Sequence, residues 1–139
     1  MRTLIASLLC AAFAAAAPVP KELKKDDLAR LEGEWQTVRA EFNGRDSNKG
    51  FLVFTRDTVN WKASREVQDV IWKLTVDASK SPKEFTIVHN GGRSTYMGLY
   101  KLDGDKLTLA YRLNAKPDGF TSEGGTFLDE AVRVVGKGK

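Results

Sequence analysis

Apolar and polar residues alternate along most of the chain beyond residue 34. The alternation is clearest over residues 59–63 and 70–77, and it is typical of strands with one buried face. The pattern predicts eight strands, at residues 35–42, 51–54, 59–63, 70–77, 85–89, 95–102, 106–112 and 128–135. Because the connections between them are short, neighbouring strands must be antiparallel. We therefore expect an all-β fold, either an up-and-down barrel or a sandwich.

A short helix is predicted before the first strand. Leu28 and Leu31 fall on one helical face, Asp26 is a suitable N-cap, and Gly33 suits the position after the last turn. These signals predict a helix over residues 27–32 that docks its two leucines on the strands.

The alternation does not show which face of each strand is buried, and the first strand illustrates the difficulty. Trp35 and Thr37 share one face, whereas Val38, Ala40 and Phe42 share the other. Both faces carry apolar residues, so the inward face stays open at this point.

The first 20 residues have the composition of a targeting segment. Arg2 precedes an apolar run that ends in alanines, and Pro18 follows. We predict a signal peptide over residues 1–17 and an exported protein, periplasmic or extracellular. A retained membrane anchor is the alternative, but the run is shorter than the roughly 20 residues that span a bilayer. Lipidation of Cys10 fits less well, since Leu9 stands where a small residue is required.

The 139 residues correspond to one domain. We assign residues 18–27 to a linker and the start of the helix, 28–135 to the barrel domain, and 136–139 to a basic tail. The only cysteine lies in the predicted signal peptide, and the chain has one histidine. That composition excludes an internal disulfide and a thiolate zinc cluster, and we expect no metal and no cofactor.

The formal net charge of +4 says little about partners. Lysines are concentrated at residues 21–25 and 137–139, without the interleaved aromatic residues of a single-strand nucleic-acid surface, so we expect no nucleic-acid partner. A loose attraction to anionic envelope material is compatible with the charge. No later apolar run is long enough to span a membrane.

Three segments resemble a known family when taken together and in order. They are LEGEW at residues 31–35, DASKSPK at 77–83 and GLYKLDGDKL at 98–107. The chain, from about residue 28 to 135, is similar to a family of exported, lipocalin-like domains of unknown function, known mainly from planctomycete bacteria. The resemblance implies a lipocalin-like, eight-stranded antiparallel up-and-down barrel, preceded by a short helix, and it implies no activity. The residues that carry the signature are Gly33, Trp35, Gly98, Tyr100, Asp103, Gly104, Asp105 and Arg133.

The resemblance also implies roles for some of these residues. Trp35 would pack at the closed end of the barrel, near a basic residue of the last strand, for which Arg133 is the best match. The sequence departs from the family over residues 114–125, which are richer in glycine, so the alignment of the last strand is less well defined. Gly98, in the middle of a strand, indicates close packing, a bend or a bulge.

Few residues have a pattern that suggests catalysis. His89 and Ser94 flank a Gly-Gly turn and would be the pair of an exported hydrolase, but no third triad member is evident, and a solvated histidine is the simpler interpretation. Asp103 and Asp105 bracket a glycine, yet the further ligands of a calcium loop are absent, so turn chemistry explains them better. The pairs at residues 26–27 and 129–130 are interpreted as helix capping and as a solvated strand end. We expect no catalytic residue and a protein that is not an enzyme.

The aromatic residues suggest a binding function. Trp61, Trp72, Tyr96, Tyr100 and Tyr111 are the candidates for lining a ligand cavity; alternatively they fill the barrel as core residues do. The leading hypothesis is an exported binding module for a small apolar or amphipathic ligand or for a partner protein. The alternative is a structural, envelope-associated module with a filled barrel. A ligand-sized cavity would favour the first, and a solid core the second.

Overall fold

The computed structural model describes residues 22–64, 70–89 and 92–135. Its elements, in chain order, are α1 (Glu22–Leu31), β1 (Gly33–Phe42), β2 (Arg45–Asp46), β3 (Phe51–Thr55), β4 (Thr58–Lys62), β5 (Ile71–Asp77), β6 (Lys83–His89), β7 (Ser94–Asp103), β8 (Lys106–Leu113) and β9 (Phe127–Arg133). The predicted signal peptide, residues 1–17, and the basic tail, residues 136–139, lie outside the described residues. The one described helix is too short to cross a membrane.

The strands form one closed antiparallel barrel. Neighbours in sequence are neighbours in space from β3 to β9, and β1 pairs with both β3 and β9. The expected lipocalin-like, eight-stranded up-and-down barrel is thus confirmed, and its eight strands are β1 and β3–β9. The eight predicted strands correspond to these eight, with ends displaced by at most two residues.

Strand β2 is an addition that the alternation did not predict. It pairs only with the end of β1, across the turn at Asn43 and Gly44. Both turn residues have positive φ, 50° and 72°, as a two-residue hairpin of type I′ requires. Arg45 and Asp46 are both exposed, so this strand has no buried face and leaves no alternating pattern.

A bulge in β1 explains why the buried face of this strand was ambiguous. Trp35 and Thr37 are buried, and the next buried residue is Ala40, three positions later. The pairing with β9 shifts between Thr37 and Arg39, which leaves Val38 as the extra residue, 48% exposed. An inserted residue reverses the alternation. The buried residues of β1 therefore come from both sets, Trp35 and Thr37 before the bulge and Ala40 after it.

Helix α1 covers one end of the barrel. Leu31 belongs to the buried core and Leu28 packs against it, so the expected docking of the leucine pair is confirmed. The helix begins at Glu22, however, not at residue 27. The prediction that Asp26 and Asp27 cap its N-terminus is wrong, because Asp27 lies in the second half of the helix.

Residues 114–126 cross the outer surface of the barrel. Here Leu99, Ala110 and Leu128, which lie side by side on β7, β8 and β9, are buried on the face opposite to the barrel interior. The segment is anchored on both sides of them. On one side Lys116 pairs with Glu84 at 2.8 Å; on the other, the Gly125 amide donates to the Asn43 side chain at 2.6 Å. This glycine-rich segment thus covers a second, small apolar layer on the outside of the barrel.

Gly98 allows close packing between neighbouring strands in the barrel wall. A Cβ atom at this position would lie 2.4 Å from two ring atoms of Phe85 and 2.6 Å from the carbonyl oxygen of Ala110. The expectation of close packing is therefore confirmed, and the missing side chain is what admits the Phe85 ring.

The substitution Gly98→Ala is expected to lower the free energy of unfolding by about 1–2 kcal/mol. Forcing a methyl group into a packed site costs about 1–3 kcal/mol, and the smaller entropy of the unfolded alanine chain returns part of this. The measurement is urea denaturation followed by tryptophan fluorescence. Gly119→Ala is the matched control, since a Cβ there meets no atom within 4 Å. Equal stability of the two variants would contradict the packing argument.

Candidate ligand cavity

The closed end of the barrel is centred on Trp35, which is fully buried. Its indole Nε1 donates to the carbonyl oxygen of Leu31 at 2.8 Å, and the Arg133 guanidinium lies 4.3 Å from the ring centre. Arg133 also donates to the carbonyl oxygens of Arg30 and Glu32, at the C-terminus of α1. This is the place that the resemblance implied for a basic residue of the last strand. One arginine thus joins β9, the tryptophan and the helix.

A second connection between helix and barrel runs through Asp27. Its carboxylate accepts hydrogen bonds from the Tyr100 hydroxyl at 2.7 Å and the Lys83 ammonium at 2.8 Å. Burial raises the pKa of Asp27, but the hydrogen bonds from Lys83 and Tyr100 outweigh it and hold this pKa below its ordinary value. Burial and the neighbouring Asp27 raise the pKa of Tyr100. Asp27 is therefore ionised, its charge is balanced by Lys83, and it attaches the helix to the barrel.

Beyond this filled end the barrel is hollow. A cavity of about 250 Å³ lies among inward-facing side chains of β3–β9. Its wall includes all five residues that the sequence predicted for it: Trp61, Trp72, Tyr96, Tyr100 and Tyr111. Ser47 and Asn48, from the segment between β2 and β3, also reach the cavity. Leu31 of α1 lines it as well, so the cavity extends from the residues beneath α1 towards the opposite end of the barrel.

The aromatic rings on the cavity wall contact one another. Tyr111 and Phe127 stack with centroids 5.1 Å apart, and Tyr96 meets the Tyr111 ring edge-on at 5.8 Å. Trp72 lies 6.2 Å from Tyr96, nearly parallel to it. These distances fall in the range of favourable aromatic pairs, which hold side-chain orientations. The rings form a wall with a defined shape.

His89 lies next to the aromatic wall of the cavity. It is the last residue of β6, is partly buried and lies 4.9 Å from the Trp72 ring, edge to face, so its side chain is less solvated than predicted. A hydrolase would need a carboxylate within hydrogen-bond reach of His89, and the described residues place none there. Ser94 is its direct partner on β7.

Asp129 is the cavity residue that the sequence reasoning missed. It was interpreted as part of a solvated strand end, but it is 5% exposed and faces the barrel interior from β9. Its Oδ2 accepts a hydrogen bond of 2.8 Å from the Tyr111 hydroxyl. Burial raises the pKa of Asp129 to about 6, against the opposing effect of the Tyr111 hydrogen bond. Burial and the facing carboxylate likewise raise the pKa of Tyr111.

A signal for Asp129 was present in the sequence. The last strand was predicted to begin at residue 128, whereas β9 begins at Phe127. Phe127, Asp129 and Ala131 alternate with Leu128 and Glu130. Asp129 therefore shares a strand face with Phe127 and Ala131, and a carboxylate between two apolar residues on the inward face is expected to be buried.

Polar groups are few on the remainder of the wall. Among the described residues, no lysine, arginine or histidine lines the cavity. The Trp72 Nε1 is buried and has no hydrogen-bond partner within the part of the chain described here. A buried donor left unpaired costs about 1–3 kcal/mol. Within the described ranges, the Trp72 indole is thus an unpaired donor on the cavity wall.

Asp103 and Asp105 lie at the turn between β7 and β8 and do not line the cavity. Gly104 has φ of 57°, as a tight turn between β7 and β8 requires, and Asp105 pairs with Arg133 at 3.2 Å. Asp103 and Asp105 are both exposed. No three potential metal ligands cluster within residues 22–64, 70–89 and 92–135. Turn geometry and the link to Arg133 account for this motif.

Comparison of the chain with models of protein families, with curated proteins and with solved structures finds no match. The family resemblance drawn from the three segments therefore stays a prediction. The barrel, its filled end and its hollow end are properties of the structure itself.

Proposed function

We propose that this chain is an exported, non-enzymatic barrel that binds a small apolar or amphipathic molecule in its cavity. The observation that carries the proposal is the 250 Å³ cavity inside the barrel. A dry apolar cavity of about 150 Å³ is enough to bind benzene. The available space therefore suits a somewhat larger molecule, with at least one ring or a short alkyl chain.

The contrast between the two ends of the barrel supports binding over a purely structural role. At the end covered by α1, Trp35 and Leu107 are fully buried and do not line the cavity. At the other end Trp61 and Trp72 are partly buried and border the cavity. Tryptophan is thus a core residue in one part of the barrel and a cavity-lining residue in another. A module with a filled barrel would have no reason to keep large aromatic side chains around a void.

Export is the part of the proposal that rests on the sequence alone. The charged start, apolar run and alanine series of residues 1–17 support it. A barrel without cysteine in its mature part folds regardless of the redox state of its compartment. Periplasmic and extracellular locations are equally compatible with this reasoning.

The test is titration with the uncharged apolar dye N-phenyl-1-naphthylamine, whose fluorescence increases in apolar surroundings. We expect one dye molecule to bind per chain. Val76→Phe, which adds a ring to the cavity wall, is expected to weaken binding about tenfold or more, since overpacking by 1–3 kcal/mol corresponds to such a change.

Thr75→Phe is the matched control, because Thr75 is the neighbouring residue of β5 and is exposed on the outer face. It should leave dye binding unchanged. An equal effect of the two substitutions would place the dye outside the cavity. Absence of dye binding to the unmodified protein would contradict the proposal and favour the structural alternative.

A further inference from the structure

We infer that the cavity selects an apolar molecule that carries one protonated amine, with Asp129 as the partner of the ammonium group. This inference rests on the proposed function and specifies the chemical class of its ligand. It uses three features of the wall: a carboxylate without a counter-ion, the rings around it and the lack of other ligands for a metal.

The first feature is the unpaired charge of Asp129. One carboxylate oxygen accepts from the Tyr111 hydroxyl, and no described group donates to the other. The described residues contribute no basic side chain to the cavity wall. A buried charge is stable only when it is paired. A ligand with a cationic head would supply the missing partner, whereas an anionic ligand would be repelled.

The second feature is the arrangement of aromatic rings next to this carboxylate. Phe127 lies two positions before Asp129 on the same strand face. It stacks on both Phe42 and Tyr111, which leaves the rings of Tyr111 and Tyr96 to face a ligand. Tyr96 contacts the edges of the Tyr111 and Phe127 rings, at 5.8 Å and 6.4 Å. Ring faces attract organic ammonium groups through their quadrupole. The wall thus combines a carboxylate with the surroundings that a substituted ammonium prefers over water.

The third feature argues against a metal ion as the cation. Calcium requires six to eight oxygen ligands, and magnesium a near-octahedral set. In the described part of the chain Asp129 is the only carboxylate on the cavity wall. The apolar character of the remaining wall favours an organic cation, whose carbon skeleton would occupy the space beside the aromatic rings.

Protonation of Asp129 should control this binding. The groups that face it are Tyr111 from β8 and, beyond Tyr111, Tyr96 from β7; its strand neighbours Leu109 and Ala40 are apolar. Its pKa of about 6 leaves the carboxyl ionised at pH 7.5 and mostly protonated at pH 5. Amine binding is therefore expected to weaken roughly tenfold between these two pH values.

The experiment is isothermal titration calorimetry with three probes of equal skeleton: 2-phenylethylamine, 2-phenylethanol and phenylacetate. At pH 7.5 we expect the amine to bind roughly tenfold to a hundredfold more tightly than the alcohol, as a charge-assisted hydrogen bond implies. Phenylacetate should bind most weakly. Asp129→Asn should abolish the preference for the amine. Glu130→Gln, which changes the neighbouring outward carboxylate, should retain it.

The outcomes separate this inference from the proposed function. If the dye binds in the cavity but the amine binds no better than the alcohol, the inference is overturned and the proposed function stands. If neither the dye nor any probe binds, both fail. Should Asp129→Asn not fold, the pH dependence in the unmodified protein decides. Amine affinity that does not fall between pH 7.5 and pH 5, or alcohol affinity that falls equally, would overturn the assignment to Asp129.

Discussion

Replacing Trp35 by alanine is expected to lower the free energy of unfolding by about 3–5 kcal/mol, the cost of deleting a buried aromatic side chain. Trp35 is fully buried at the closed end, so the deleted ring leaves a void there. The substitution also removes the hydrogen bond to Leu31 and the ring beneath the Arg133 guanidinium. The contacts of the first strand with the helix and with the last strand are thus lost together. Urea denaturation monitored by far-ultraviolet circular dichroism measures the effect.

Trp61→Ala is the appropriate comparison for this prediction. Trp61 has the same side chain, but it is partly buried and borders the existing cavity. Its removal enlarges a space that is already present, so the loss of stability should be clearly smaller. A loss as large as that of Trp35→Ala would mean that the two ends of the barrel are packed alike, contrary to the structure.

Replacing Asp129 by asparagine is expected to raise the free energy of unfolding at pH 7, by up to about 3 kcal/mol. Each unit of pKa corresponds to about 1.4 kcal/mol, and burial raises the pKa of Asp129 from 3.8 to about 6. The ionised carboxylate therefore destabilises the folded barrel at neutral pH. Asparagine keeps an acceptor for the Tyr111 hydroxyl and removes the charge. Its new amide donor, if unpaired, reduces the gain.

The direction of this change in the free energy of unfolding follows from its dependence on pH. The folded protein binds the Asp129 proton more tightly than the unfolded chain does, so the stability of the unmodified protein falls as pH rises from about 4 to about 6. The advantage of the asparagine variant should accordingly appear over this interval and vanish below about pH 4. Glu130→Gln is the control and should show no such profile. A destabilised Asp129→Asn variant at pH 7 would show that Asp129 is compensated in the empty barrel.

Most of the barrel could be predicted from the chain because alternation is a local property. Each of β3–β9 shows its pattern within five to ten residues. The phase of β1 could not be predicted, since the bulge at Val38 depends on pairing with β9, about ninety residues away. The start of α1 was missed for a related reason. Asp27 has the residue type of a cap, and only the folded barrel brings Lys83 and Tyr100 to it.

The candidate site could be predicted in its aromatic part and not in its acidic part. Trp61 and Trp72 were predicted as candidates for lining a cavity, and the structure places both on the cavity wall. Whether such residues fill a barrel or surround a void depends on how the strands close, which no local pattern records. Asp129 was missed because both faces of β9 carry apolar residues, Leu128 on one and Ala131 on the other, so the alternation does not show which face is inward.

The seam between β1 and β9 has a consequence for the order of folding. Arg39 and Glu130 meet across it although they are 91 positions apart. Contacts between such distant segments form slowly, because the entropy of closing a long loop must be lost before they form. The hairpins from β3 to β8 involve only local contacts, so we expect them to form early and the seam to close last. Until β9 has been synthesised, β1 and β8 each present an unpaired edge to other chains, and this interval is when the protein is most prone to self-association.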